Sequence, residues 1–282
     1  GGILNIPNEL NNKLEEGYDT IWNYIVALRN LARNIHINPS QIEELTEKIS
    51  SKIGLGLDSE ITKKGNLKIN SSNPVFIAHY EHPYYKDVPP QVLTIYVHYN
   101  EESLDRGYNQ TDYKAASSRV FLNAALSAIP NIGIMKDTIF HEVAHGVDPK
   151  QDMWETSPSI YVNPSKSTNK YLKSPLEFDA RMTEMVTFRK RLLMNFYKDD
   201  KDILDNGIAY IQKDLQNLQT DVKQFIEDLG FSDEVHIYVL EVYLKDPEIK
   251  KQVYQKFYRM YDELLTAFTQ KKQELLPEIK NG

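Results

Sequence analysis

The run His141-Glu142-Val143-Ala144-His145 narrows the folding possibilities of this chain more than any other segment. Two histidines at this spacing can serve one ion only if the segment is an α-helix. At about 100° per residue, positions four apart lie roughly 40° from each other on one face and one turn apart along the axis. Both imidazoles then reach a common point. Glu142 falls on the rim of that face, where its carboxylate can take a proton from a water whose pKa a zinc ion lowers to about 7. Ile139, Phe140, Val143, Ala144 and Val147 occupy the opposite arc, so the helix is expected to bury an apolar back and present a polar front. Asp148 projects on the histidine side. Two readings of it stay open: a partner that orients a histidine, or a turn residue ahead of Pro149, which ends the helix.

A catalytic zinc takes three protein ligands and keeps one position for water, so a further His, Glu or Asp is expected downstream on another helix. In the stretch from Tyr171 to Arg181, Ser174 can cap a helix whose first residue is Pro175, with Glu177 at the capping-box position. Met182, Met185 and Val186 continue it. Glu177, Arg181, Glu184 and Phe188 share one face, whereas Asp179 points to the other side. Glu177 is therefore the expected third ligand and Glu184 the reserve. The alternative for Glu177 is a capping glutamate and nothing more.

These residues carry a family resemblance. The run from Ile139 to Asp148 resembles the active-site helix of the anthrax lethal factor-like zinc peptidases, which include Pro-Pro endopeptidases and many phage or toxin-associated domains. Their third ligand is a Glu opening a Glu-Phe-Phe-Ala-Glu run. Glu177-Phe178-Asp179-Ala180-Arg181 matches it at the first, second and fourth positions, with Arg181 standing where that family has its second Glu. A tyrosine some seven residues before the ligand Glu helps stabilise the oxyanion in that family, and the resemblance gives this role to Tyr171, six before. The resemblance spans residues 139 to 188, so it carries no substrate class. The chain departs from two other zincin groups. Gln151 stands where a metzincin has its third His, and Arg181 rather than Asp lies four residues after Glu177, unlike the thermolysin type.

Composition narrows the partners. With 282 residues, 41% hydrophobic and 26% charged, the chain can build one large core or two modest ones. The net charge of -7 and the interspersion of lysines with carboxylates exclude a phosphate-tracking surface, so nucleic acid is not an expected partner. The absence of cysteine removes disulfides, thiolate metal sites and a cysteine nucleophile. The longest uncharged run, Val120 to Met135, is interrupted by Asn123, Pro130 and Asn131 and is too short to span a bilayer. No signal peptide is visible, and the start at Gly1-Gly2 is read as that of a processed or trimmed chain whose targeting the sequence leaves open. A soluble protein, secreted or toxin-associated, is the expectation.

The pattern along the chain predicts an α+β fold of zincin type, with a small mixed sheet over the metal helix and a helical C-terminal lobe. An N-terminal helical segment, 1–55, is expected to contain a helix over 8–34 and a second from Ser40, with Glu43 completing a capping box, to Gly54. The catalytic domain is expected over 56–282, β-rich over 56–130 and helical over 131–282. Its strands are read at Leu67 to Asn70, Val75 to Ala78, Val92 to Val97 and Arg119 to Leu122. An edge strand of this sheet would pair an extended substrate. His79, His82 and His98 fit ordinary sheet positions better than a second metal site, and the tyrosines between 80 and 113 fit sheet packing. Helices are expected near 175–197, 201–228, 232–244 and 247–275. The stripe Leu204, Ile208, Ile211, Leu215, Leu218, Val222 and Ile226 reads as intramolecular packing rather than a coiled-coil face. The function these features imply is a zinc-dependent endopeptidase holding one Zn2+ through His141, His145 and Glu177, acting on a protein or peptide with Glu142 as general base. The alternative is a catalytically weak or inactive domain serving a toxin or phage assembly as a binding or structural part.

Overall fold

The apolar periodicity of the N-terminus produces a single long helix, α1 (Asn8–Ile37), whose buried stripe runs Leu10, Leu14, Tyr18, Ile21, Ile25, Leu28, Leu31 and Ile35. The structure is a computed structural model that describes residues 6–149, 172–197, 201–229 and 238–280, without the side chains of 201, 203 and 276–280. The described residues form two compact units, one within Leu4–Glu155 and the other within Thr156–Gly282.

In the first unit, α2 (Ile42–Ile53) follows a 3-10 turn at Pro39–Gln41 and ends on Gly54, whose φ of 72° is the left-handed C-terminal conformation that glycine adopts without strain. The expected capping box at Ser40 and Glu43 is not formed. Pro39 commits its neighbours to the 3-10 turn, so Ser40 lies inside that turn and Gln41 occupies the cap position without a side-chain bond.

Six strands form one mixed sheet: β1 (Leu57–Ile61), β2 (Leu67–Ser71), β3 (Phe76–Tyr80), β4 (Gln91–Asn100), β5 (Gly107–Asp112) and β6 (Ser117–Asn123). The order is β1-β2-β4-β6-β5, and β3 also pairs with β4. β4 is long enough to take two partners along one side, β3 antiparallel from Gln91 to Ile95 and β2 antiparallel at Tyr99 and Asn100. On its other side β4 pairs with β6 in parallel, from Val92↔Ser117 to His98↔Asn123. Alternation along β4 buries Leu93, Ile95 and Val97 and leaves Val92, Thr94 and Tyr96 only partly covered. α1 packs on β2, β3 and β4, and α2 packs on β1.

The four strands expected from the sequence are present, with slightly different ends. β1 and β5 were not expected. β1 alternates Leu57 and Ile61 with polar residues, and β5 reads Gly-Tyr-Asn-Gln-Thr-Asp, so neither carries the β-branched apolar signal. Both lie at an end of the strand order, where a polar sequence is tolerated. The uncharged run from Val120 is consumed by β6 and by the buried residues Ala124, Ala125, Ala128 and Ile129. No helix among the described residues is long and apolar enough to cross a membrane.

The second unit contains α4 (Pro175–Tyr197), α5 (Lys201–Thr220), α6 (Val222–Asp228), a π-helical turn at Tyr238–Tyr243 and α7 (Pro247–Lys280). The expected single helix over 201–228 is divided at Asp221, whose side chain accepts from the Gln224 backbone N–H and caps α6. Of the helix expected near 232–244, residues 232–237 lie outside the described residues. The apolar stripe of α5 and α6 is used internally. Leu204, Ile211, Leu218 and Ile226 share a core with Met182, Met185, Val253, Phe257, Leu264 and Phe268.

Within that core a charged group is compensated. Arg189, 5% exposed, donates from Nη2 to Asp214 Oδ2 at 3.3 Å and to Tyr210 Oη at 2.8 Å, while the Tyr261 hydroxyl donates to the same Asp214 oxygen at 2.9 Å. These bonds tie α4, α5 and α7 together, and removing one partner strands a buried charge. Asp214→Ala is expected to cost about 3–5 kcal/mol in chemical denaturation. The partly exposed Lys272–Asp205 pair, at 2.6 Å, is expected to give less than about 1 kcal/mol when Asp205 becomes Ala. Equal losses at the two sites would contradict this account.

Candidate metal centre

The helix α3 (Ile132–Val147) is defined at both ends by its own sequence. The Asn131 side chain accepts from the Ile134 N–H at 2.9 Å, the expected action of an N-cap. At the other end Asp148 is extended, with φ -70° and ψ 118°, as a residue preceding proline prefers. Its N–H donates to the Ala144 and His145 carbonyls and closes the last turn. Asp148 thus serves as a buried terminating residue, and its side chain is withdrawn from solvent.

Ile139, Phe140, Val143, Ala144 and Val147 are all buried, as the wheel requires. The histidine face is also sheltered: His141 is 9% exposed and Glu142 8%. α3 lies against β5 and β6. The approach is closest at Gly146, where a Cβ would stand 2.7 Å from Ser118 Oγ and 3.1 Å from Asn109 Nδ2. Ser118 is itself buried and shares hydrogen bonds with Thr111 and Asn109, so it cannot simply swing away.

Distant residues hold the two ends of α3. Arg29 of α1 donates from Nε to the Ala124 carbonyl at 2.8 Å and from Nη2 to the Ile129 carbonyl, fixing the segment that leads into the helix. Past its C-terminus, Tyr113 donates to the Asp148 carbonyl at 2.8 Å and Tyr85 to the Pro149 carbonyl at 3.2 Å. His82 holds these two tyrosines. Its ring stacks on Tyr85 with centroids 4.8 Å apart, meets Tyr113 edge-on at 4.7 Å, and accepts the Tyr84 and Tyr85 N–H groups at Nδ1. His82 is therefore a hydrogen-bonded sheet-side histidine. At His98, burial, and then the nearby Lys68, push the pKa down to about 4. No local signal marks the bonds from Arg29, Tyr85 and Tyr113 to the ends of α3, because their acceptors lie far along the chain.

The Nε2 atoms of His141 and His145 are 3.1 Å apart, with rings near perpendicular at 83°. Two nitrogens held at about 2.0–2.1 Å by one tetrahedral zinc stand roughly 3.3 Å apart, so the pair is spaced as a chelating edge. The same distance also suits an N–H···N bond between neutral imidazoles. Glu177 lies in the first turn of α4 and is 2% exposed. Its N–H donates to Ser174 Oγ at 3.4 Å, so Ser174 caps this helix as the sequence predicts. Ligand atoms of His141, His145 and Glu177 all lie within 4.8 Å of one another, and this group could hold a metal ion. Two neutral nitrogen donors and one carboxylate match a zinc donor set.

Glu184 and Asp179 are not members of any such group among the described residues. Asp179 pairs with the buried Lys256 at 3.7 Å, on the other side of α4 as its helical position requires. Glu177 has a partner on the helix face the sequence assigns to both: Arg181, one turn on, places Nε 3.0 Å from Glu177 Oε1. Tyr171 and Gln151 lie outside the described residues.

Comparison with family models, with curated proteins and with solved structures finds no match for the chain.

Because Gly146 admits the sheet, Gly146→Ala is expected to lower stability by about 1–3 kcal/mol, the usual range for an overpacked contact. Tyr113→Phe removes a buried hydrogen bond and leaves the Asp148 carbonyl without that donor, for a loss of about 1–3 kcal/mol. Urea denaturation of both variants tests the two contacts, and wild-type midpoints would show that the end of α3 is not held as described.

Proposed function

We propose that this chain is a zinc-dependent endopeptidase of zincin type, in which His141, His145 and Glu177 hold one zinc ion. The observation that carries the proposal is the convergence of three buried or half-buried donor groups, two from consecutive turns of α3, with a glutamate directly after the first histidine. The resemblance of Ile139 to Asp148 and of Glu177 to Ala180 to lethal factor-like peptidases supports the same reading.

When bound, zinc supplies Lewis acidity that polarises a carbonyl and brings the pKa of water at the site to about 7. The chain's own groups do the rest. His141 and His145 would hold the ion through ring nitrogens and Glu177 through its carboxylate, which would contribute one negative charge. Glu142 accepts the proton of the attacking water and returns it to the departing amine nitrogen, the role of a general acid–base group. The substrate's developing oxyanion requires a donor, and Tyr171 is the candidate that the family resemblance supplies. β5 lies beside α3 and, among the described residues, pairs with no strand other than β6. Its outer edge can align an extended peptide by strand addition, which favours a peptide substrate over a small molecule.

Elemental analysis of the purified protein, with variants handled identically, tests the proposal. Wild type is expected to hold close to one zinc, His141→Ala and Glu177→Ala to lose it, and Glu184→Ala to keep it. Glu142→Gln is expected to keep zinc and to lose about 10²–10⁴ in cleavage rate on unfolded protein or a peptide library followed by mass spectrometry. Zinc-free wild type after zinc supply refutes the metal site. Bound zinc with no activity that depends on Glu142 would instead support the binding or structural domain of a larger assembly.

A further inference from the structure

We propose that Arg181 is a positioning residue for the ligand carboxylate of Glu177, holding it in place before a metal arrives. This inference rests on the zinc reading of the site.

Its basis lies within α4 and the π-helical turn. Residues four apart on a helix are neighbours, so Arg181 stands one turn beyond Glu177. Nε lies 3.0 Å from Glu177 Oε1, with the arginine side chain 19% exposed and the glutamate side chain 3%. A carboxylate so removed from water needs a compensating charge. The guanidinium is itself fixed, since its central carbon sits 4.5 Å from the centre of the Tyr238 ring, within cation–π range. The turn that carries Tyr238 is anchored in its turn by Tyr243. That residue is fully buried, meets Phe178 edge-on at 5.0 Å and donates to the Leu172 carbonyl at 2.8 Å, just ahead of the cap of α4.

Two physical effects oppose each other at this position. A guanidinium beside a ligand repels an incoming dication. It also removes rotamer freedom from the carboxylate, so that less ordering entropy is lost when metal binds. Groups that orient a metal ligand typically contribute about 10–100-fold in affinity, and orientation is expected to dominate here.

The test is zinc affinity measured by competition with a chromophoric chelator, together with the visible absorption of the cobalt(II)-substituted protein. Arg181→Met is expected to weaken zinc binding about 10–100-fold and to change the cobalt spectrum. Arg181→Lys, which keeps the charge but loses the planar fork, is expected to recover part of the affinity. Tyr238→Leu removes the ring under the guanidinium without altering charge, and a smaller loss in the same direction is expected even if Arg181→Met folds poorly. Lys173→Met, which breaks the exposed pair with Asp246, serves as the control and leaves both readouts unchanged. Wild-type affinity and spectrum in folded Arg181→Met, or tighter binding, overturns the inference while leaving the zinc site intact. Wild type that binds no zinc overturns both.

Discussion

Withdrawing ionisable groups from water is the constraint around which the described site is organised. His141, Glu142 and Glu177 are all nearly inaccessible, and each would be costly in an apolar interior without partners. The chain meets this with helices, whose backbones satisfy themselves, and with a counter-charge placed one turn from the carboxylate. Arg181 provides that counter-charge, and the Tyr238 ring holds the arginine from the other side. The same solution recurs at Arg189, where an aspartate and two tyrosine hydroxyls surround a buried guanidinium. Hydrogen-bonded and paired charges can persist in a core; single ones cannot.

Placement of α3 requires more than its amphipathic pattern. A helix resting on a sheet can slide or rotate unless something fixes its ends. Here Arg29 fixes the approach through two carbonyls, and Tyr113 and Tyr85 fix the exit through two more. Gly146 sets the depth, because its missing side chain lets the helix meet Ser118 and Asn109 directly. The tyrosine-rich stretch between 80 and 113 is thus partly a support for α3. This explains why tyrosine, with both an apolar ring and a donor, occurs where phenylalanine would pack as well.

Local signals were readable where the deciding interactions are local. The His141-Glu142-Val143-Ala144-His145 spacing places both imidazoles on one helical face, and Asn131 and Pro149 mark the ends of that helix. Ser174 and Pro175 announce α4 and put Glu177 in its first turn. Where the local signal is weak or contested, neighbours decide the structure. β1 and β5 are strands because neighbours pair with them, although their residues are largely polar. Ser40 and Glu43 have the letters of a capping box, yet Pro39 draws Ser40 into a 3-10 turn. Asp221 divides a continuous apolar stripe by capping a new helix.

By itself the sequence determined an α+β chain with an HExxH helix, the ends of that helix, the four strands with apolar alternation and the candidate ligands His141, His145 and Glu177, since periodicity, capping chemistry and spacing act within a few residues. Tertiary structure alone decided the strand order, the parallel pairing of β4 with β6, and the partners that hold the ends of α3. Those outcomes depend on which distant segments can bury their surfaces against one another. Arg181 shows the division plainly: its reach to Glu177 follows from helix geometry, whereas the Tyr238 ring that holds it comes from a segment that only the folded chain brings near.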